Sequence, residues 1–267
     1  MKRILLIAVL LGAMITATTY FVCIAAPSVL FGKSLKGSGN IITRTIDAPA
    51  FDQVDAARAV KVVITDKATD KITIEADDNI MDYVEVKAKG GRLTASIDKS
   101  INNVSNVNVT VTIPANGRIR SLDASSAAKI TGDVLLTADK FSIDASSAAK
   151  IEAAVKAAEC RVSASSASKI EAEINATSCT VDASSASKIT LKGSAATCSI
   201  DMSSASKLSA GDFAVADCTV STSSAAKATV NCTGKLRADA SSGSSVRYTG
   251  DCQTSISKSS GGSVGRN

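Results

Sequence analysis

The feature that most constrains this chain is a nine-residue phrase that it keeps repeating. Leu122-Asp123-Ala124-Ser125-Ser126-Ala127-Ala128-Lys129-Ile130 recurs almost unchanged from Ile143, Val162, Val181, Ile200 and Val220, and two weaker copies run from Ala240 and Lys258. The first Ser of each pair falls at positions 125, 146, 165, 184, 203, 223, 241 and 259, so the steps are 21, 19, 19, 19, 20, 18 and 18 residues. Such a period is too short for helix-pair repeats and carries no leucine-rich consensus. It suits one coil of a β-solenoid.

Side-chain parity within a repeat agrees. Counting from the first Ser as zero, positions −5, −3 and −1 are Cys179, Val181 and Ala183 in one copy and Cys198, Ile200 and Met202 in the next. Positions −4 and −2 are polar: Thr180 and Asp182, then Ser199 and Asp201. Period-two alternation marks a half-buried strand. The apolar phase resumes at +5, +7 and +9, as in Ile170, Ala172 and Ile174. Each coil therefore holds at least two strands joined by a Ser-Ser-Ala corner, where small residues allow tight turning and Gly takes over in the last copies. Stacking would set equivalent residues about 4.8 Å apart, and only the stack buries a continuous core. The expected fold is all-β: a right-handed parallel β-helix (β-solenoid) with ~19-residue coils and a less regular N-terminal β cap.

Four regions follow. Residues 1–26 read as a signal peptide, with Lys2 and Arg3 before an apolar run that ends at Ala25-Ala26. The run is also long enough for an uncleaved membrane anchor, which needs about 20 apolar residues. Residues 27–47, containing Gly37-Ser38-Gly39-Asn40, read as a linker. Residues 48–120 hold alternating runs such as Val60-Lys61-Val62-Val63-Ile64 and Val107–Ile113, separated by turn residues, and read as the solenoid's entry and cap. Residues 121–267 are the regular repeats.

The order of parts resembles a known family. Lys36-Gly37-Ser38-Gly39-Asn40-Ile41-Ile42, then Phe51-Asp52-Gln53-Val54, Val60-Lys61-Val62-Val63-Ile64 and Val109-Thr110-Val111-Thr112-Ile113-Pro114, precede a ladder of small-residue motifs. This is similar to the putative auto-transporter adhesin head GIN domain proteins of Gram-negative envelopes. That ladder usually reads Ser-Gly-Ser-Gly in the family. Here it reads Ser-Ser-Ala-Ala/Ser-Lys, and only late copies such as Ser259-Ser260-Gly261-Gly262-Ser263 are typical. The resemblance implies a right-handed β-solenoid in the cell envelope, with no catalytic residues to carry over.

With no His in 267 residues, a Ser-His-Asp triad, a Cys-His pair and His-ligated zinc are all excluded. The net charge of +5 is too mild to suggest a nucleic-acid partner. Four patterns remain. Cys160, Cys179, Cys198 and Cys218 share the inward −5 slot, with Cys232 at +9, and read as small core hydrophobes. Disulfides between coils, or a thiolate metal site, are the alternatives, and the redox state of these residues and Cys252 stays open. Ser-x-x-Lys recurs from Ser126 to Lys227, but the partner motifs of penicillin-binding enzymes are missing. Oxygen-rich rows could hold calcium, yet the glycine-rich calcium repeat is absent. Finally, Lys129, Lys150, Lys169, Lys188, Lys207 and Lys227 should stack as one cationic row, beside an Asp row of Asp123, Asp144, Asp182 and Asp201. The row is either a solvated edge or a site for a periodic polyanion.

The expectation is an exported, non-enzymatic envelope solenoid without cofactors, located in the periplasm, in the outer membrane or on the surface of a Gram-negative cell. Its membrane contact would be limited to the N-terminal segment. It would recognise an acidic glycan or another envelope polymer, as an adhesin does. A periplasmic scaffold that binds another envelope protein is the alternative, and a polysaccharide-acting enzyme comes third.

Overall fold

The computed structural model describes residues 33–67 and 69–267; the expected signal or anchor segment lies outside them. In chain order the strands are β1 (Lys33–Lys36), β2 (Ile41–Asp47), β3 (Gln53–Ala56), β4 (Lys61–Thr65), β5 (Lys71–Asp77), β6 (Val84–Lys89), β7 (Arg92–Ile97), β8 (Ile101–Ser105), β9 (Val109–Pro114) and β10 (Ser121–Ala124). They continue as β11 (Lys129–Ala145), β12 (Lys150–Ala164), β13 (Lys169–Ala183), β14 (Lys188–Met202), β15 (Lys207–Thr222), β16 (Lys227–Ala240), β17 (Ser245–Thr249), β18 (Gln253–Lys258) and β19 (Ser263–Arg266). The described residues contain no α-helix, only a 3-10 turn at Met81–Tyr83.

From β10 onward every pairing is parallel and joins equivalent positions of successive repeats. A coil is one long bent strand followed by the short Ser-Ser corner, which is why the period is near 19. In β13 the buried residues are Ile170, Ala172 and Ile174, then Cys179, Val181 and Ala183. Parity changes once between Ile174 and Cys179, so the strand bends there and both halves keep their apolar side inward. The core is built from columns of like residues. One runs Ile130, Ile151, Ile170, Ile189, Leu208; another runs Leu122, Ile143, Val162, Val181, Ile200, Val220.

The corner has a specific geometry. Ser126 has φ +51° and Ala127 φ +61°, and the pair recurs at 147/148, 166/167, 185/186, 204/205 and 224/225. Two consecutive left-handed residues make a primed turn, closed by the Ala128 N–H donating to the Ser125 carbonyl at 3.0 Å. The same conformation aims the Ala127 N–H along the stack, where it donates to the Ser147 carbonyl of the next coil at 2.9 Å. Gly243 and Gly261 occupy this slot at φ +70° and +76° in the last copies. An L-residue costs about 1–2 kcal/mol there, whereas Gly gives back about 0.5–1 kcal/mol in chain entropy. Ala186→Gly at the exposed corner should therefore stabilise the protein by about 0.5–1 kcal/mol, read as a raised denaturation midpoint. A lowered midpoint would show that the methyl group makes contacts worth more than the strain.

The N-terminal region departs from a simple sequential entry. β3 pairs with β10 on one side and β7 on the other, and β4 pairs with β11 and β9. Residues 53–65 thus form the second rung and residues 92–114 the first. The chain runs outward to the end of the stack before crossing back to β10. Ala57-Arg58-Ala59-Val60-Lys61 is a degenerate corner, with Arg58 and Ala59 at φ +58° and +62°. The first rung's edge is covered by antiparallel β6 on β7 and β5 on β9, which removes an exposed parallel edge. Residues 33–47 correct the linker expectation. β1 pairs with β8, β2 pairs antiparallel with β5, and Gly37–Asn40 is bound between them.

Candidate functional site

The Lys row forms as expected. Each Lys stands one residue beyond the corner, where the strand restarts with its side chain outward. Lys129, Lys150, Lys169, Lys188, Lys207 and Lys227 are partners in five successive parallel pairings. Lys61 of β4 pairs with Lys129 and adds a seventh member. Sequence reading missed it, although the degenerate corner at 57–61 carried the signal.

The row is not electrically uniform. Two positions after the lysines, β12 and β13 carry Glu152 and Glu171. Glu152 lies 3.5 Å from Lys129 and also pairs with Lys150, while Glu171 lies 3.3 Å from Lys150 and 2.5 Å from Lys169. Hydrogen bonds from Lys150 and Lys169 respectively hold the Glu152 and Glu171 carboxyls below their usual range. The hydrogen bond to Glu152 likewise raises Lys150. Lys129, Lys150 and Lys169 are half-buried in this network. In the next three coils the equivalent residues are Thr190, Ser209 and Thr229, which are uncharged. Lys188, Lys207 and Lys227 are exposed and, among the described residues, have no acidic partner within 4.0 Å. Beyond exposed Lys61 at one end, the row thus divides into a glutamate-paired half and a free half.

Across the corner lies the Asp row. Asp55, Asp123 and Asp144 stack in register, and Arg92 bridges the first two at 3.9 and 3.1 Å. Burial first, then the Asp123 charge, pushes Asp144 up; burial also raises Asp55, opposed by Arg92. Arg161 pairs with Asp182 at 2.5 Å. Farther along, Asp182, Asp201 and Asp239 line an open groove of about 510 Å³ with Ser163, Ser221 and Ser257. The Ser-x-x-Lys motif spans a β-corner and a strand, so no helix brings its hydroxyl to its amine. Cys160, Cys179, Cys198 and Cys218 form one buried column of free thiols, as the core reading expected. Hydrogen bonding to Cys179 first, joined at Cys198 by Cys218, and then burial push Cys160 and Cys198 up, while the same contacts push Cys179 down; burial of the whole column keeps it from reagents in solution.

This architecture can be set against known proteins. The profile described as "Putative auto-transporter adhesin, head GIN domain" matches residues 50–252, most of the chain. The chain belongs to that family. No curated protein matches it. Solved structures share the GIN-domain fold at low identity. A putative adhesin from Parabacteroides merdae superposes with a TM-score of 0.80 at 17% identity, covering 88% of this chain and 99% of its own. A putative lipid binding protein from Parabacteroides distasonis gives 0.80 at 17%, covering 88% and 100%. A putative adhesin from Bacteroides fragilis gives 0.67 at 18%, covering 87% and 100%. At such identities the likeness fixes the fold alone.

Proposed function

We propose that this GIN-domain solenoid is an exported, non-enzymatic envelope protein that recognises an anionic polymer, such as an acidic glycan, through the free half of its lysine row. One observation carries the reading: Lys188, Lys207 and Lys227 stand exposed on three consecutive strands with hydroxyl residues beside them and, among the described residues, no acid within 4.0 Å. In-register strands are about 4.8 Å apart, so the ammonium groups form a short linear array that suits a chain bearing charges at similar intervals. Residues 121–267 carry 15 Lys+Arg against 14 Asp+Glu, so the attraction is local rather than a property of the whole surface. Membership in an adhesin-named family supports the reading.

The lysines are exposed, so their attraction is screened over about 8 Å at physiological salt. Retention on a sulfated polysaccharide resin should therefore fall steeply with ionic strength. The variant Lys188/Lys207/Lys227→Ala should elute near the void, whereas Lys129/Lys150/Lys169→Ala should keep most of the wild-type retention. Wild-type retention of the first variant would exclude this site.

A further inference from the structure

We infer that Cys232 and Cys252 are a disulfide-forming pair that staples the coil formed by β17 and β18 to the one before it, while the four stacked cysteines stay reduced. Cys232 is fully buried on β16, and Cys252 follows β17 one coil later, partly exposed and packed against the same core. The pairing of Asn231 with Thr249 brings Gly250 directly over Cys232. Contact there is so close that a Cβ on Gly250 would lie 2.1 Å from the Cys232 carbonyl oxygen. Only a residue without a side chain lets the 250–252 segment fold down onto β16. The Cys252 side chain then packs against the same core as Cys232, two residues beyond the glycine that covers it.

The stacked column differs in access. Cys160, Cys179, Cys198 and Cys218 are 1–4% exposed, with strands on both sides. An external disulfide cannot reach them without unfolding the core. Burial pushes Cys232 up to about 11, so Cys252 is the point of entry. Its thiolate attacks an external disulfide, forming a mixed disulfide and expelling one thiolate. Cys232, as thiolate, then attacks the Cys252 sulfur and expels the second. Two protein thiols lose two electrons and two protons, and the external disulfide becomes two thiols.

The test uses the full chain, purified reduced, held folded with oxidised glutathione, then alkylated in denaturant without reductant and mapped by mass spectrometry. The expected product is one crosslinked peptide joining Cys232 to Cys252, two hydrogens lighter, with the other four cysteines alkylated. Cys252→Ser should leave Cys232 alkylated as well. Closing a loop of about one coil should slow proteolysis within residues 253–267 on the order of 30-fold in the oxidised form. Alkylation of both Cys232 and Cys252, or glutathione retained on Cys252 without closure, would overturn the pairing. Equal proteolysis of both forms would overturn the staple.

Discussion

Gly193→Ala is expected to destabilise the solenoid by about 2–6 kcal/mol, summing backbone strain of about 1–3 and a packing clash of similar size. Gly193 lies on β14 at φ +99°, and a Cβ there would meet the Ile174 carbonyl oxygen of the preceding coil at 2.3 Å. That neighbour is backbone and part of the parallel ladder, so it cannot swing aside. On its other side Gly193 is partnered by Phe213, one of the largest fully buried side chains. The bulge that admits Phe213 into a core of small residues therefore depends on a glycine in the adjacent coil. The thermal midpoint should fall by roughly 5–20 °C. Gly211→Ala is the control. Its nearest neighbour would be Thr229 Cγ2 at 3.9 Å and its φ is ordinary, so it should be neutral or slightly stabilising. Similar midpoints for the two variants would mean that coils 174–213 are not packed this closely.

Asp77→Ala should cost about 3–6 kcal/mol, because it removes the charged acceptor of two part-buried amide hydrogen bonds at about 1.5–3 kcal/mol each. Asp77 is fully buried and accepts from the Gly39 N–H at 2.7 Å and the Asn108 N–H at 2.6 Å. A Cβ on Gly37 would lie 2.5 Å from its carboxylate, which explains a glycine at that position. Next to it, Asp78 accepts from the Ser38 hydroxyl at 2.6 Å and the Asn40 amide at 2.9 Å. The Asn79 amide donates to the Lys36 carbonyl at 2.9 Å. The Gly-Ser-Gly-Asn segment is thus a clip held by Asp77-Asp78-Asn79. Limited proteolysis of Asp77→Ala should cut within residues 37–47 at protease concentrations that spare the wild type. Ser38→Ala, which removes the bond to Asp78 but leaves both Asp77 bonds, should give a weaker version of the same change. Hydrogen bonds from Ser38, then Asn40, hold Asp78 below its ordinary value. Its contribution is therefore present above the unfolded pKa of about 3.9 and is lost as pH falls further, so acid should loosen the clip.

These two sites mark where sequence reading reached its limit. The period near 19 and the two apolar phases made the coils legible, because each repeat states the same inward and outward choice. The Ser-Ser corner was legible as a tight turn, but its left-handed Ser-Ala pair was not, since alanine gives no hint of positive φ. The crossing of rungs 53–65 and 92–114 was hidden because strand pairing is decided in space, and both segments alternate equally well. Gly37–Asn40 reads as a linker until its partners, some 40 residues away, are placed. The lysine row was legible by position. Its division was not drawn from the sequence, although Glu152 and Glu171 against Thr190, Ser209 and Thr229 were there to compare once the register was known.

Display of the free lysines outside the cell is tested most directly by labelling intact cells with a membrane-impermeant amine reagent and mapping the label by mass spectrometry, with lysed cells as reference. Surface display predicts label on Lys188, Lys207 and Lys227 in intact cells at levels close to those in lysate. Label on these lysines only after lysis would contradict it and leave the solenoid facing the cell interior or the periplasm.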